Sequence, residues 1–296
     1  MSFVFAGTPD FGARVLRGLA DLGRVPALVV SQPDRPRGRG RKTCPPPVIE
    51  EAARLGCPAM QVEDLNAPAT ISAMQATGAD RLVVAAFGQL LREAVLERFL
   101  CLNVHASLLP KYRGAAPIER ALAAGEVSTG ISIMRMTVGL DEGPVALQTS
   151  VSIGLRDDAG SLGRALAVLG ASGLDQVLTG LHDGTVVWTE QSEPGTYACK
   201  LTAADTLIDP SAAAKTVHDQ VRALSPVIGV RARSGEVEFK VWRTWPYDGG
   251  EAVMLPPGAG EVQGVPGAMV ARDGRLFLGC GRGVLEILLV QPAGKA

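Results

Sequence analysis

Phe3-Val4-Phe5-Ala6, running into Gly7-Thr8-Pro9-Asp10-Phe11-Gly12, is the stretch on which the fold turns. An uninterrupted apolar run of this kind reads as a buried first strand. Gly7 and Gly12 permit a close turn, and Ala13 to Ala20 has the spacing of a helix. A helix start beside glycines can also face an anion. The full dinucleotide pattern of glycines is absent, so a structural turn is expected over a phosphate site.

Working outward, Val25 to Val30, Arg81 to Phe87, Leu100 to His105, Ile131 to Met136 and Val145 to Ile153 read as strands. Between them Val48 to Leu55, Ile71 to Ala76, Ala115 to Ala124 and Leu162 to Leu178 read as helices, the last in spite of Gly170 and Gly173. This alternation predicts an α/β domain with a doubly wound, mostly parallel sheet over residues 1–183. Residues 184–206, with Pro194-Gly195 inside, read as an irregular interdomain linker. Beyond it, Val217 to Leu224 reads as a helix. Val237 to Trp242, Ala268 to Val270, Leu276 to Leu278 and Val284 to Leu289 read as strands of a small OB-like β-barrel over 207–296.

With 47% hydrophobic and 20% charged residues the chain reads as globular and soluble, and 29 basic against 30 acidic residues leave a formal charge of −1. No global field demands nucleic acid, so local charge must carry any such reading. Cys44, Cys57, Cys101, Cys199 and Cys280 lack paired metal-ligand spacing, which favours reduced cytoplasmic thiols. His182 and His218 have no recognisable metal partner, and no metal is expected. Met1 to Gly7 is too short for a signal core and no segment has eighteen uninterrupted apolar residues, so a cytoplasmic location is expected.

Chemistry concentrates in Asn103-Val104-His105, in Ser107-Leu108-Leu109-Pro110 to Pro117, and in Gly139-Leu140-Asp141. If residues 103–105 are extended, Asn103 and His105 share one strand face and Val104 points away. An amide and an imidazole there can meet negative charge growing on a carbonyl oxygen, while a carboxylate at Asp141 accepts a proton through water or orients His105. Taken singly, each residue reads equally well as a strand amide, a core imidazole or a turn-closing carboxylate. Together they suit acyl transfer. Arg35 to Lys42 places five cations in eight positions, interrupted by Pro36, Gly38 and Gly40; it reads as a mobile projection that is either solvated or in contact with an RNA backbone.

Asn103 to Ile118, with Thr129-Gly130-Ile131-Ser132-Ile133-Met134-Arg135-Met136 and Gly139-Leu140-Asp141-Glu142-Gly143, closely resembles the methionyl-tRNA formyltransferase family. The likeness also takes in Phe5 to Phe11, Pro33 to Lys42, Val83 to Leu91 and Tyr197-Ala198-Cys199-Lys200. The resemblance implies Asn103, His105 and Asp141 as the catalytic group, 10-formyltetrahydrofolate as formyl donor and the α-amine of initiator methionyl-tRNA as acceptor. It implies a donor pocket around Phe87, Gly88, Leu91, Ser107, Leu108, Leu109, Pro110 and Asp141, and tRNA contacts from Arg35, Arg37, Arg39, Arg41 and Lys42. For Phe87 and Leu91, packing within the protein is the simpler role, and for Arg113 a structural carboxylate partner is favoured.

The C-terminal part resembles the family's smaller tRNA-contacting domain, with departures at Pro210 and at Ser225-Pro226-Val227-Ile228-Gly229. Arg222, Arg231, Arg233, Lys240 and Arg243 form a candidate basic surface there, and Trp242 and Trp245 are expected to close its core. A monomer is expected. Formylation of a nucleotide-linked sugar amine or another small amine is the nearest alternative; an RNA-binding protein without catalysis is the alternative of another class.

Overall fold

The apolar run Phe3–Gly7 forms β1, buried throughout, in a computed structural model that describes residues 2–37, 42–191, 194–248 and 254–292. After it come α1 (Asp10–Asp21), β2 (Leu28–Ser31), β3 (Arg35–Arg37), β4 (Lys42–Cys44), α2 (Pro47–Leu55), β5 (Ala59–Gln61), α3 (Pro68–Ala76) and β6 (Arg81–Ala85). The chain continues through α4 (Glu93–Leu96), β7 (Leu100–His105), β8 (Arg113–Gly114), α5 (Pro117–Ala123), β9 (Ser128–Arg135), β10 (Val145–Ser152), α6 (Ala159–Asp183) and β11 (Tyr197–Ala198). It ends with α7 (Ala214–Ala223), β12 (Val230–Ser234), β13 (Val237–Tyr247), β14 (Met269–Arg272), β15 (Arg275–Gly279) and β16 (Val284–Pro292).

Two compact units result: Met1–Ala115 with Ser128–Val151 and Gly163–Ala198, and Ala116–Val127 with Ser152–Leu162 and Cys199–Ala296. Neither unit is continuous in sequence, unlike the single cut expected at 184–206. Part of that segment is also not a free linker. Thr189 bridges Val145, and β11 pairs in parallel with β8, because the exposed backbone of a strand end needs hydrogen-bond partners.

The first unit is built on a seven-stranded sheet in the order β10-β9-β7-β6-β1-β2-β5. β1 pairs in parallel with β2 and β6, as do β2 with β5 and β6 with β7; β9 runs antiparallel to β7. The chain leaves β1 toward β5 and returns on the other side at β6, so the winding reverses beside β1. Ligands of such sheets bind in the crevice at the carboxyl ends of the strands near that reversal. Those ends are Gly7, Ala85 and, one strand further, His105.

Close packing explains the glycines of the opening turn. A Cβ at Gly7 or Gly12 would lie 2.9 or 2.6 Å from the Ala85 carbonyl oxygen, which fits the structural reading of that turn. The expected helix over 162–178 is longer, Ala159–Asp183, and its Gly170 has a similar reason: a Cβ there would meet the Val104 side chain at 2.7 Å. Helix propensity is lost to let α6 approach β7.

Glu51 ties the helices over this sheet together. Its carboxylate accepts from Arg17 on α1 and from Arg54, 3.0 Å from each Nε. Hydrogen bonding from Arg17, opposed by burial and helped by Arg54, holds its pKa down at about 2. The stabilisation is therefore present above the ordinary pKa of 4.5 and is lost as pH falls toward about 2. Because Arg17 and Arg54 are 51% and 53% exposed, solvent screening reduces its worth. We expect Glu51→Gln to lower stability by about 1–2 kcal/mol at pH 7 and by roughly half of that or less at pH 3, read from urea midpoints.

In the second unit β12-β13-β16-β15-β14 form an antiparallel five-stranded sheet. Val217, Val221 and Leu224 at α7 pack with Val230, Val241, Leu278, Leu285 and Ile287 as its core. Trp242 is half-buried and bonded to Gln291 at 3.2 Å, and the Trp245 ring meets the buried His218 ring edge-on at 6.4 Å. The turn at 225–229 is closed locally: Ser225 Oγ donates to the Trp242 carbonyl at 2.7 Å, and the Gly229 N–H to the Leu224 carbonyl at 2.9 Å. The carbonyl of Pro210 likewise accepts the Gly281 N–H at 2.9 Å. Arg222 does not join a basic surface. It is buried and paired with Asp219 at 2.8 Å, because a cation at that depth needs a countercharge.

Candidate active site

The carboxyl end of β7 carries the chemistry. Its register pairs Asn103 with Val84 of β6 and Met134 of β9, and His105 with Ser132. Strand alternation sends Asn103 and His105 to one face and Val104 to the other, where it meets Gly170 of α6.

His105 is 4% exposed, and its Nε2 lies 2.8 Å from the Tyr112 carbonyl oxygen. A carbonyl brings no proton, so the neutral ring carries its hydrogen on Nε2 and leaves Nδ1 as an acceptor. Nδ1 faces Asp141 Oδ2 at 3.6 Å. Two acceptors therefore oppose one another until a proton arrives, on the ring or on a molecule between them.

Asp141 comes from the turn between β9 and β10, and the fold brings it to the same place. Its Oδ1 accepts from Asn103 Nδ2 at 3.2 Å, and its Oδ2 accepts the Gly114 N–H at 2.8 Å. The second hydrogen of the Asn103 amide has no acceptor among the described residues. The turn is tightly confined: Asp141 has φ +53°, and a Cβ at Gly143 would stand 1.9 Å from the Arg135 carbonyl oxygen. Such a conformation persists only where neighbours over-determine it.

The Ser107 to Pro110 stretch holds the loop that follows β7. Ser132 Oγ donates to the Ser107 carbonyl at 2.7 Å and accepts the Leu109 N–H at 3.0 Å, and Gln148 Nε2 donates to the Leu109 carbonyl at 2.8 Å. Leu109 packs with Met134 and Val145, Leu108 lies against Gly130, and Pro110 accepts the Thr196 N–H at 3.1 Å. Arg113, 2% exposed, donates to Gln191 at 3.0 Å and faces Glu142 at 3.4 Å. The side chains of Gln148 and Thr196, which sequence reasoning passed over, and of Ser132, which it quoted within a family-like stretch but gave no role, all bond to this loop. Nothing in their local pattern marks them, since their partners lie far along the chain.

Beyond β6 an open depression of about 740 Å³ is lined by Leu90, Leu91 and Val138, with Asn66, Gln89 and Arg92 among its polar residues. Val138 and Asp141 belong to the same turn segment, and the exposed Leu90 and Val138 offer apolar surface to a ligand. Among the residues expected around a donor, Leu91 lines this depression. Both Leu91, 6% exposed at the edge of the depression, and the Phe87 ring, 1% exposed, belong to the apolar cluster of β1, β2 and β6, so packing within the protein claims both. The Phe87 carbonyl accepts from Gln32 Nε2 at 2.7 Å, and Gly88 turns away at φ +84°. Among the described residues no group of His, Cys, Asp and Glu is arranged to hold a metal ion, and no helix is long and apolar enough to cross a membrane.

Residues 1–178 match the formyl transferase family, and residues 200–296 match the formyl transferase C-terminal domain. A methionyl-tRNA formyltransferase of Rubrobacter xylanophilus is 49% identical, with 100% of this chain and 94% of that protein covered. This chain belongs to the methionyl-tRNA formyltransferase family. The family's representative in Halorhodospira halophila is 41% identical, with 98% of this chain and 91% of that protein covered. In fold the chain is similar to WlaRD, a sugar 3N-formyl transferase solved in the presence of dTDP and 5-N-formyl-THF, with TM-score 0.69 at 15% identity over 100% of this chain and 99% of that one. Membership makes the chain a folate-dependent formyltransferase.

The two described ends of the cationic stretch that the family likeness marks as a tRNA contact pair with one another, Arg35–Arg37 against Lys42–Cys44; residues 38–41, on which the reading as a projection also falls, lie outside the described residues. β3 and β4 are antiparallel with Arg35 opposite Cys44 and Arg37 opposite Lys42, which satisfies backbone groups that a free loop would leave to water. Arg35 and Lys42 are exposed, and Arg35 donates to Gln32 at 3.0 Å. Arg39 and Arg41 lie outside the described residues, and Arg37 is described by its backbone only.

Proposed function

We propose that the chain transfers the formyl group of 10-formyltetrahydrofolate to the α-amine of initiator methionyl-tRNA. The convergence of Asn103, His105 and Asp141 at the end of β7 carries this reading. The depression beside it suits the donor: exposed, apolar Leu90 and Val138 can cover a flat heterocycle, and Asn66, Gln89 and Arg92 can meet its polar edge. The donor supplies an electrophilic formyl carbon and leaves as tetrahydrofolate.

The chain's own residues manage charge and protons. As the amine nitrogen bonds to the formyl carbon, the free hydrogen of the Asn103 amide meets negative charge on the formyl oxygen. Nδ1 of His105 takes the proton the amine must lose, directly or through one water, and Nδ1–H then faces the Asp141 carboxylate. The proton passes to the departing nitrogen as the old carbon–nitrogen bond breaks. Asp141 thus positions the imidazole and stabilises its charged form.

Residues 1–183 carry this chemistry in our reading, and 207–296 engage the acceptor tRNA together with the hairpin of β3 and β4. A monomer in the cytoplasm fits that role. The deciding assay offers formylated folate with initiator methionyl-tRNA, elongator methionyl-tRNA or a nucleotide-linked aminosugar. Preferential formylation of the sugar amine would overturn the assignment; RNA affinity with no transfer to any acceptor would favour a binding module.

Reversing both exposed hairpin charges, Arg35→Glu with Lys42→Glu, should weaken tRNA binding about 10-fold or more at low salt and reduce the salt slope by roughly two. Single-turnover transfer at saturating tRNA should stay within about twofold, since positioning on phosphate leaves the reacting atoms alone. Unchanged affinity across salt concentrations would place the hairpin outside the RNA footprint.

A further inference from the structure

Gln191 lies in the segment that reads from sequence as a linker, yet all the hydrogen-bonding described for its side chain is directed at the active site. Its Nε2 donates to the carbonyl oxygen of Asp141 at 2.7 Å and to that of Gly143 at 2.8 Å. Its Oε1 accepts from Arg113 Nε at 3.0 Å. Arg113 is followed directly by Gly114, whose N–H the Asp141 carboxylate accepts at 2.8 Å. One planar amide therefore links the turn that bears the carboxylate to the segment that anchors it.

We infer that Gln191 is a positioning residue for formyl transfer, acting by fixing the Asp141 turn so that its carboxylate stays against His105 Nδ1 and Asn103. The inference rests on the assignment of Asp141 to catalysis. Two observations and one general principle support it. Asp141 holds φ +53°, a conformation that surroundings must impose. Both flanking carbonyls, on Asp141 and Gly143, point at one donor group, so losing that group releases both at once. A misplacement of about 1 Å in a catalytic group is enough to slow a reaction about 100-fold.

The role requires donor hydrogens, which separates it from mere support of Arg113. Gln191→Glu keeps the shape and strengthens the pairing with Arg113, but offers no hydrogen to either carbonyl. Gln191→Met keeps the length and loses donors and acceptor alike. We expect both variants to lower kcat by about 10- to 100-fold while KM for each substrate stays within about twofold. The pH profile of kcat should change shape in both, because the carboxylate no longer sits at one distance from the ring.

Wild-type kcat in Gln191→Glu would overturn the inference and leave Gln191 a scaffold for Arg113. Failure of both variants to fold would overturn it equally, in favour of a structural role. The comparison is made on whichever amine the wild-type protein formylates, so a wild type inactive on methionyl-tRNA refutes the acceptor assignment and leaves the variant ratio as the test of Gln191.

Discussion

Asp141→Asn should slow formyl transfer by about 10³-fold in a single turnover while tRNA affinity changes by less than about twofold. The carboxylate accepts on both sides, from the Asn103 amide and from the Gly114 N–H. An asparagine can accept on only one. If its oxygen keeps the Gly114 N–H, its NH2 group opposes that of Asn103, whose amide must flip and present oxygen where the reaction needs a donor. The substitution also removes the negative charge that stabilises protonated His105 at Nδ1, 3.6 Å away. A single-turnover rate at the wild-type level would dismiss the carboxylate from the mechanism.

Asn103→Ala should cost about 10²- to 10³-fold in kcat, the range for losing one donor to a developing oxyanion. Here the free amide hydrogen disappears together with the bond to Asp141 Oδ1. The two losses are coupled, so the double variant with Asp141→Asn should fall well short of the product of the single effects. Full multiplicativity would mean that the two residues act independently, against the geometry. Unchanged kcat in Asn103→Ala would place the oxyanion elsewhere.

Much of the fold was legible because its signals are local. Phe3 to Ala6 is apolar without interruption, as a strand covered on both faces must be, and it lies inside the seven-stranded sheet. Element ends were less legible. The helix expected at 162–178 extends to Ala159–Asp183, since its end residues have no periodic apolar face to announce them. The strand at Ala59–Gln61 escaped notice because three residues carry no period.

The site divides the same way. Alternation along β7 was enough to put Asn103 and His105 on one face. For Phe87, packing was the simpler role that the sequence offered beside a ligand loop, and its place in the apolar cluster, 1% exposed, bears that out.

By itself the sequence determined most of the longer elements, the shared face of Asn103 and His105, the place of the cationic stretch and the family, because each depends on residue order within a short span. Tertiary structure alone decided that Asp141 reaches Asn103 across 38 positions, that the Tyr112 carbonyl sets the His105 tautomer, and that Gln191 holds the turn. These depend on hydrogen-bond directions set by backbone at φ +53° and +61°, at Asp141 and Tyr112, conformations that distant contacts impose and no local pattern encodes.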